Sequence, residues 1–97
     1  MFIKLMDILY IEYGNRCSII RTRRGTHESM ITMNEWETIL NTGDFFRVHK
    51  AYIVNLEYIE SIGKEVLLDN GEKVEVSIRQ MGKLKKACKD YRKQKAR

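Results

Sequence analysis

The residues best suited to chemistry lie together in one short stretch, FFRVHKAYIVN at residues 45–55. Apolar side chains alternate along it as in half-buried strands, but Arg47, His49 and Lys50 interrupt the alternation. Cationic and hydrogen-bonding side chains on a loop between two strands are suited to binding phosphate groups or base edges. A solvated loop with incidental charge explains the same local pattern equally well, so both interpretations stay open at this point.

Catalytic and metal-binding arrangements are not evident in the sequence. Ser77 near Arg79, or Cys17 near either histidine, offers a nucleophile without a third group to orient a base. There is no glycine-rich phosphate loop, and two cysteines with two distant histidines do not form a tetrahedral zinc set. We therefore predict no enzymatic activity, metal site, cofactor or small-molecule substrate. Ser77 is expected to end a strand and cap the helix that follows.

The positive charge is concentrated towards the C-terminal end. The net charge is +5, from 18 lysine and arginine against 13 aspartate and glutamate side chains. Residues 79–97 carry nine positive and one negative side chain, a net of +8, whereas residues 1–48 carry six of each and residues 49–78 three against six. Charge gathered in this way favours a polyanionic partner that docks on one region.

The elements that must position these residues are mostly short strands. The 97 residues suffice for one domain, and no linker, repeat or apolar run of membrane-spanning length divides them. Without a signal peptide, the chain is expected to be cytoplasmic, with both cysteines reduced. Alternating and β-rich segments predict strands at residues 2–5, 8–13, 17–22, 26–31, 45–48, 52–55, 58–62, 65–68 and 73–76.

A short helix interrupts the strands near the centre of the chain. Thr32 and Glu35 fit a capping box at its start, and Gly43 is placed to end it. The apolar face of this helix is predicted to comprise Met33, Trp36, Ile39 and Leu40.

The last third of the chain predicts a hairpin and a basic helix. Asn70 and Gly71 form the residue pair that favours a type I′ turn between two strands. A second helix is expected from Arg79 onward, with residues 93–97 frayed. Its apolar stripe is predicted to comprise Met81, Leu84, Cys88 and Tyr91.

The order and spacing of five motifs resemble the LytTR DNA-binding family, the output domain of bacterial response regulators of the AgrA and LytR type. The motifs are DILYIE at residues 7–12, FRVHKAYIVN at 46–55, YI at 58–59, LDNG at 68–71 and VSIR at 76–79. The resemblance implies a mostly β fold, an elongated stack of small antiparallel sheets with a short central helix and a basic C-terminal helix. It implies a single domain over residues 1–97, with a core at about 2–88 and a basic tail at 89–97.

The resemblance also implies that loops, instead of a recognition helix, contact successive major grooves of DNA. The three loop regions are the turn at residues 14–17, the segment at 49–50 and the segment at 79–80. Residues expected to contact DNA are Asn15, Arg16, Cys17, Arg47, His49, Lys50, Arg79, Gln80 and Lys83. An arginine can donate twice to guanine, which is worth roughly 1–3 kcal/mol of base discrimination, and Arg16 and Arg79 have that chemistry.

Two departures from the family pattern affect the expected base contacts. Cys17 stands where some relatives carry a histidine that contacts a base, and Lys50-Ala51 stands where relatives often have Arg-Ser or Asn-Ser. We therefore expect the docking mode to be shared and the base preferences to differ. For Cys17 we favour the simpler interpretation, in which it is the first residue of its strand.

The predicted function is sequence-specific binding of double-stranded DNA by a bacterial transcription regulator in a two-component system. Two copies are expected on direct repeats, with bending of the DNA. Alternatives are an RNA-binding protein, disfavoured because exposed stacking aromatics are lacking, and a protein-interaction module that uses the basic C-terminal segment. The family resemblance adds a receiver domain or a regulatory membrane protein as further partners.

Overall fold

Five antiparallel strands form the larger of two sheets. The computed structural model describes residues 3–95. The strands are β1 (Ile8–Gly14), β2 (Cys17–Thr22), β3 (Gly25–Ser29), β4 (Phe45–His49) and β5 (Tyr52–Asn55). Their order across the sheet is β3-β2-β1-β5-β4, so β1 and β5 join the N-terminal strands to the β4–β5 hairpin. The pairing places Glu12 opposite Tyr52.

A smaller sheet and two helices complete the fold. This sheet contains β6 (Ile59–Ile62), β7 (Glu65–Leu68) and β8 (Lys73–Glu75), in that order. The helices are α1 (Met33–Ile39), before β4, and α2 (Met81–Lys95), after β8. Short 3₁₀ turns lie at Leu5–Asp7, Leu56–Tyr58 and Ile78–Gln80. Within residues 3–95, neither helix is long and apolar enough to span a bilayer.

The larger sheet is apolar on both faces. Successive residues of a strand point to opposite faces, and apolar residues occupy consecutive strand positions here. On one side, Ile11 and Ile53 belong to the same buried cluster as Trp36 of α1. The indole Nε1–H of Trp36 donates to Ser18 Oγ at 2.8 Å, which gives the buried polar groups a partner. Helix α1 is therefore attached to this face by both packing and a buried hydrogen bond.

The opposite face contributes to a larger core that also contains the smaller sheet and α2. Val48 and Val54 belong to the same buried cluster as Val66 of β7 and Leu84 and Tyr91 of α2. The predicted mostly β fold of antiparallel sheets with a central and a C-terminal helix is confirmed. Its principal extents of 33 × 29 × 26 Å are more nearly equal than an elongated stack implies.

The capping box at the start of α1 is present as predicted. Thr32 Oγ1 accepts from the Glu35 N–H at 3.1 Å, and Glu35 Oε1 accepts from the Thr32 N–H at 2.9 Å. The hydrogen bond from the Thr32 N–H to the Glu35 carboxylate is the main cause that holds the pKa of Glu35 below its usual value. The helix ends at Ile39, ahead of Gly43, which takes a φ of +86° in the turn that follows. Ile39 is 48% exposed, so its predicted place on the buried face is wrong.

In two places a 3₁₀ turn replaces part of a predicted strand, because local hydrogen bonds compete with the sheet. The strand predicted at residues 2–5 is wrong over residues 3–5, since Leu5–Asp7 forms a 3₁₀ turn; residue 2 lies outside the described residues. Tyr58 belongs to a 3₁₀ turn and not to β6, because Asn55 Oδ1 accepts from the Glu57 N–H at 3.0 Å and starts that turn.

Helix α2 also differs from the prediction at its ends. It begins at Met81, after a 3₁₀ turn, and continues to Lys95, so residues 93–95 are helical where fraying was predicted; residues 96–97 lie outside the described residues. Ser77 makes no side-chain capping bond. Its N–H instead donates to the Val48 carbonyl at 2.8 Å, which ties the segment before α2 to β4.

The hairpin between β7 and β8 lacks the predicted type I′ turn. Gly71 has a φ of +91°, while Asn70 keeps a negative φ. The Gly71 N–H donates to the Leu68 carbonyl, and the Leu68 N–H donates to the Glu72 carbonyl, both at 2.9 Å. This pattern fits a three-residue loop in which a type I turn precedes a left-handed glycine.

Candidate nucleic-acid interface

Three connecting segments meet at one end of the larger sheet. They are the β1–β2 turn (residues 14–17), the β4–β5 turn (residues 49–52) and the segment between β8 and α2 (residues 77–80); together we call them the loop edge. Each contains residues that the sequence predicts to contact DNA.

Two long-range backbone hydrogen bonds hold the loop edge together. The Tyr13 N–H donates to the Ala51 carbonyl at 2.9 Å and links the first segment to the second. The Ser77 bond to Val48 links the third segment to the strand that leads into the second. Because backbone and not long side chains makes these links, the three segments keep a fixed arrangement.

An open groove with a volume of about 710 Å³ lies beside the loop edge, between the C-terminal end of α1, β4 and the start of α2. Phe46 and Ile53 contribute apolar surface to its lining. Six of the nine residues predicted to contact DNA also line it: Arg47, His49, Lys50, Arg79, Gln80 and Lys83. Tertiary structure therefore brings the second and third predicted regions into one cationic concavity.

The first predicted region is a strained turn that presents Arg16. Asn15 and Arg16 have φ values of +51° and +63°, and Gly14 pairs with Cys17 across the turn. Two positive φ values in a two-residue hairpin loop are the signature of a type I′ turn. The left-handed conformation costs a residue such as arginine about 1–2 kcal/mol, and both side chains of the turn are exposed. Local stability does not explain an arginine at this position.

Cys17 is buried at the start of β2, in agreement with the interpretation favoured from the sequence. Its thiol lies 3.4 Å from the Gly14 carbonyl and 3.6 Å from Glu28 Oε2 and donates towards them. Burial raises the pKa of the thiol, and the nearby Glu28 carboxylate raises it further. Cys17 and Cys88 are both buried free thiols. The side chain of Cys17 thus faces the protein, away from a ligand on the loop edge.

Arg47 is bound to the protein at three points. Its Nη1 donates to Asn34 Oδ1 at 2.7 Å and to Glu37 Oε1 at 3.0 Å, and its Nη2 donates to the Lys50 carbonyl at 2.6 Å. Its side chain is only 22% exposed. The guanidinium therefore joins α1 to the β4–β5 turn, with three of its five N–H donors occupied and its Nε buried without a partner within the described residues. Sequence reasoning missed Asn34 and Glu37, which carry no signal of this contact across 10 or more residues.

His49 has one ring nitrogen occupied within the turn. Its Nδ1 accepts from the Ala51 N–H at 3.1 Å, so the neutral ring carries its proton on Nε2. Nε2 lies 3.9 Å from Glu75 Oε2, a carboxylate whose side chain is 68% exposed. When neutral, His49 can therefore donate from Nε2 only, on the side where Glu75 lies.

The remaining cations of the loop edge, and Lys83 of the groove, are exposed. Within residues 3–95, Arg16, Lys50, Arg79 and Lys83 form no ion pair. When such a cation binds a phosphate or a base edge, no ion pair within the described residues has to break. Ile78, next to Arg79, is also exposed. The sequence pattern did not predict this, because an isoleucine directly after a strand usually belongs to the core.

Comparisons with known proteins agree with this architecture. The model of the LytTr DNA-binding domain family matches residues 1–89. The transcriptional regulatory protein LytR of Staphylococcus aureus (strain MW2) is 30% identical over 80 residues, covering 76% of this chain and 32% of the relative. The sensory transduction protein LytR of Staphylococcus epidermidis is 34% identical over 56 residues, covering 58% of this chain and 22% of the relative.

A solved structure shows the same fold. The LytTr DNA-binding domain of a regulator from Bacillus cereus matches with a TM-score of 0.81 at 24% identity, covering 88% of this chain and 84% of that one. The chain spans about a third of the length of the Staphylococcus aureus relative.

Proposed function

Because this chain belongs to the LytTr DNA-binding domain family, we propose that its loop edge binds double-stranded DNA in a sequence-specific manner. The observation that carries the proposal is the groove in which six of the nine predicted contact residues line one surface. The family is one of DNA-binding domains and not of enzymes. The biological role that follows is regulation of transcription.

The family resemblance supports loops in the major groove as the docking mode. We propose that segments of the loop edge enter successive major grooves of the duplex. Two copies on direct repeats would extend the contact, and bending of the DNA would bring more phosphates to the groove walls.

We assign each side chain a role in DNA binding from its exposure and its hydrogen bonds. Arg79 and Arg16 are the base readers, because each is exposed and can donate twice to guanine. Lys50 and Lys83 act as point charges for phosphates. The Nε2–H of His49 donates to a phosphate oxygen. Arg47 supports the β4–β5 turn from behind.

The greater length of the relatives supports the proposal that this domain works as the output part of a larger regulator. The relatives are about three times as long, so a receiver domain of a two-component system is the partner that we propose in cis. A regulatory membrane protein is a partner of a different class, proposed from the family resemblance alone.

Titration of labelled oligonucleotides by fluorescence anisotropy tests the proposal. Random-sequence duplex, matched RNA and matched single strands are compared from about 50 to 200 mM salt. We expect duplex to bind most tightly, with an affinity that falls steeply as salt rises, and selection from a random duplex library to yield a defined sequence. Tighter binding to RNA or to single strands would overturn the proposal and favour the RNA-binding alternative.

A further inference from the structure

Ile78 is an apolar side chain that the fold does not use. It is 93% exposed, more than any other large apolar residue of the described chain. A buried isoleucine stabilises a protein by about 1.5–3 kcal/mol relative to an exposed one, and Ile78 provides almost none of that. Packing within the domain therefore does not account for an isoleucine at this position.

The backbone holds Ile78 rigidly on the loop edge. The preceding Ser77 N–H donates to the Val48 carbonyl at 2.8 Å, and the Gln80 N–H donates to the Ser77 carbonyl at 2.9 Å. The Met81 N–H donates to the carbonyl of Ile78 itself. Isoleucine is also stiff about χ1, so binding through it costs little conformational entropy. The side chain follows Ser77 and precedes Arg79, both of which line the cationic groove.

The major groove of DNA offers one apolar group to such a side chain, the 5-methyl group of thymine. We infer that Ile78 contacts the 5-methyl group of a thymine adjacent to the base pair read by Arg79. The inference rests on the proposed function and deepens it, since it assigns a second base-reading residue to the same loop. It predicts that the preferred duplex carries a thymine next to the guanine contacted by Arg79.

Deoxyuridine substitution tests this contact directly, because deoxyuridine is thymidine without the 5-methyl group. A preferred duplex is first selected from a random library with the unmodified protein. Each thymine is then replaced singly by deoxyuridine, and the dissociation constant is measured for the native protein and for Ile78→Ala. We expect one replacement to weaken the native protein about three- to fivefold, the loss that removal of one buried carbon group implies. Ile78→Ala should bind both duplexes equally.

Two further variants separate recognition from general effects. Ile78→Val keeps a branched apolar side chain and should retain sensitivity to the same deoxyuridine. Met6→Ala removes a 44% exposed apolar side chain next to the start of β1, away from the loop edge, and should retain full sensitivity as well. All three variants should match the native melting temperature, since the side chains that they alter are exposed.

The outcomes distinguish this inference from the proposed function. A defined duplex with no deoxyuridine-sensitive position, or with a sensitivity that persists in Ile78→Ala, would overturn the role of Ile78 and leave duplex recognition intact. Absence of any preference among duplex sequences would overturn both.

Discussion

Arginines at the two ends of the larger sheet differ in their bonding. At the end away from the loop edge, Arg23 donates to both carboxylate oxygens of Asp69 at 2.7 Å and lies 4.3 Å from the centre of the Tyr58 ring. At the loop edge, Arg79 forms no ion pair within the described residues. The cations are chemically alike, and their neighbours differ.

This difference separates structural cations from cations that can bind a ligand. Arg21, like Arg23, is held by a carboxylate, and its Nε donates to Glu12 Oε1 at 2.7 Å. These hydrogen bonds raise the pKa of both arginines. A phosphate approaching either one would have to displace a carboxylate. A phosphate approaching the loop edge meets several exposed cations, whereas at the β2–β3 turn Arg24 is the one arginine without an ion pair within the described residues. This is why we place the DNA at the loop edge.

The largest expected effect comes from Arg79→Ala. It should weaken binding to the selected duplex by about 1–3 kcal/mol and relax the preference at one base position, because two donors to guanine are lost. Anisotropy titration of the selected duplex and of single-base variants measures both effects. Arg24→Ala, an equal charge change at the exposed β2–β3 turn, is the matched control and should change little. Equal losses in the two variants would remove the contrast between the ends.

Lys83→Ala should produce a smaller loss that is the same on every sequence. Each phosphate contact contributes about 0.9 to the slope of log affinity against log salt, so the slope should become shallower by about that amount. Titrations of selected and random duplexes at several salt concentrations test this. If only the selected duplex weakened, Lys83 would be a base contact.

Arg16→Gly should change stability and DNA binding in opposite directions. Relief of the left-handed strain of about 1–2 kcal/mol outweighs the added freedom of the unfolded chain, about 0.4–1 kcal/mol, for a net gain on the order of 0.5–1 kcal/mol. Affinity for the selected duplex should fall because the guanidinium is lost. Urea denaturation and anisotropy are the two measurements. Unchanged affinity would assign the arginine no part in binding.

The smallest effect is expected from Asp69→Asn at the far end. The Arg23 and Asp69 side chains are 42% and 43% exposed, so solvent screens the pair and its loss should cost less than about 1 kcal/mol of unfolding free energy. DNA affinity should stay the same within error. A clear change in affinity would extend the interface to the far end.

Much of the fold follows from local sequence patterns, because those patterns involve residues only a few positions apart. The capping box requires only Thr32 and Glu35, and their reciprocal hydrogen bonds form as predicted. The stripe of Leu84, Cys88 and Tyr91 is buried along one face of α2 for the same reason. The type I′ turn illustrates the limit, since it occurs at Asn15-Arg16 and not at the more favourable Asn70-Gly71 pair.

The sequence by itself determined the order of the elements, the family resemblance and the cationic residues available for binding. Tertiary structure alone decided which of those residues remain free. Arg47 reaches Glu37 across 10 positions, and Arg23 reaches Asp69 across 46. Such partners meet only when separate strands and helices pack, because an ion pair depends on distance in space and not along the chain. The same packing leaves Arg79 exposed beside Ile78 on the loop edge.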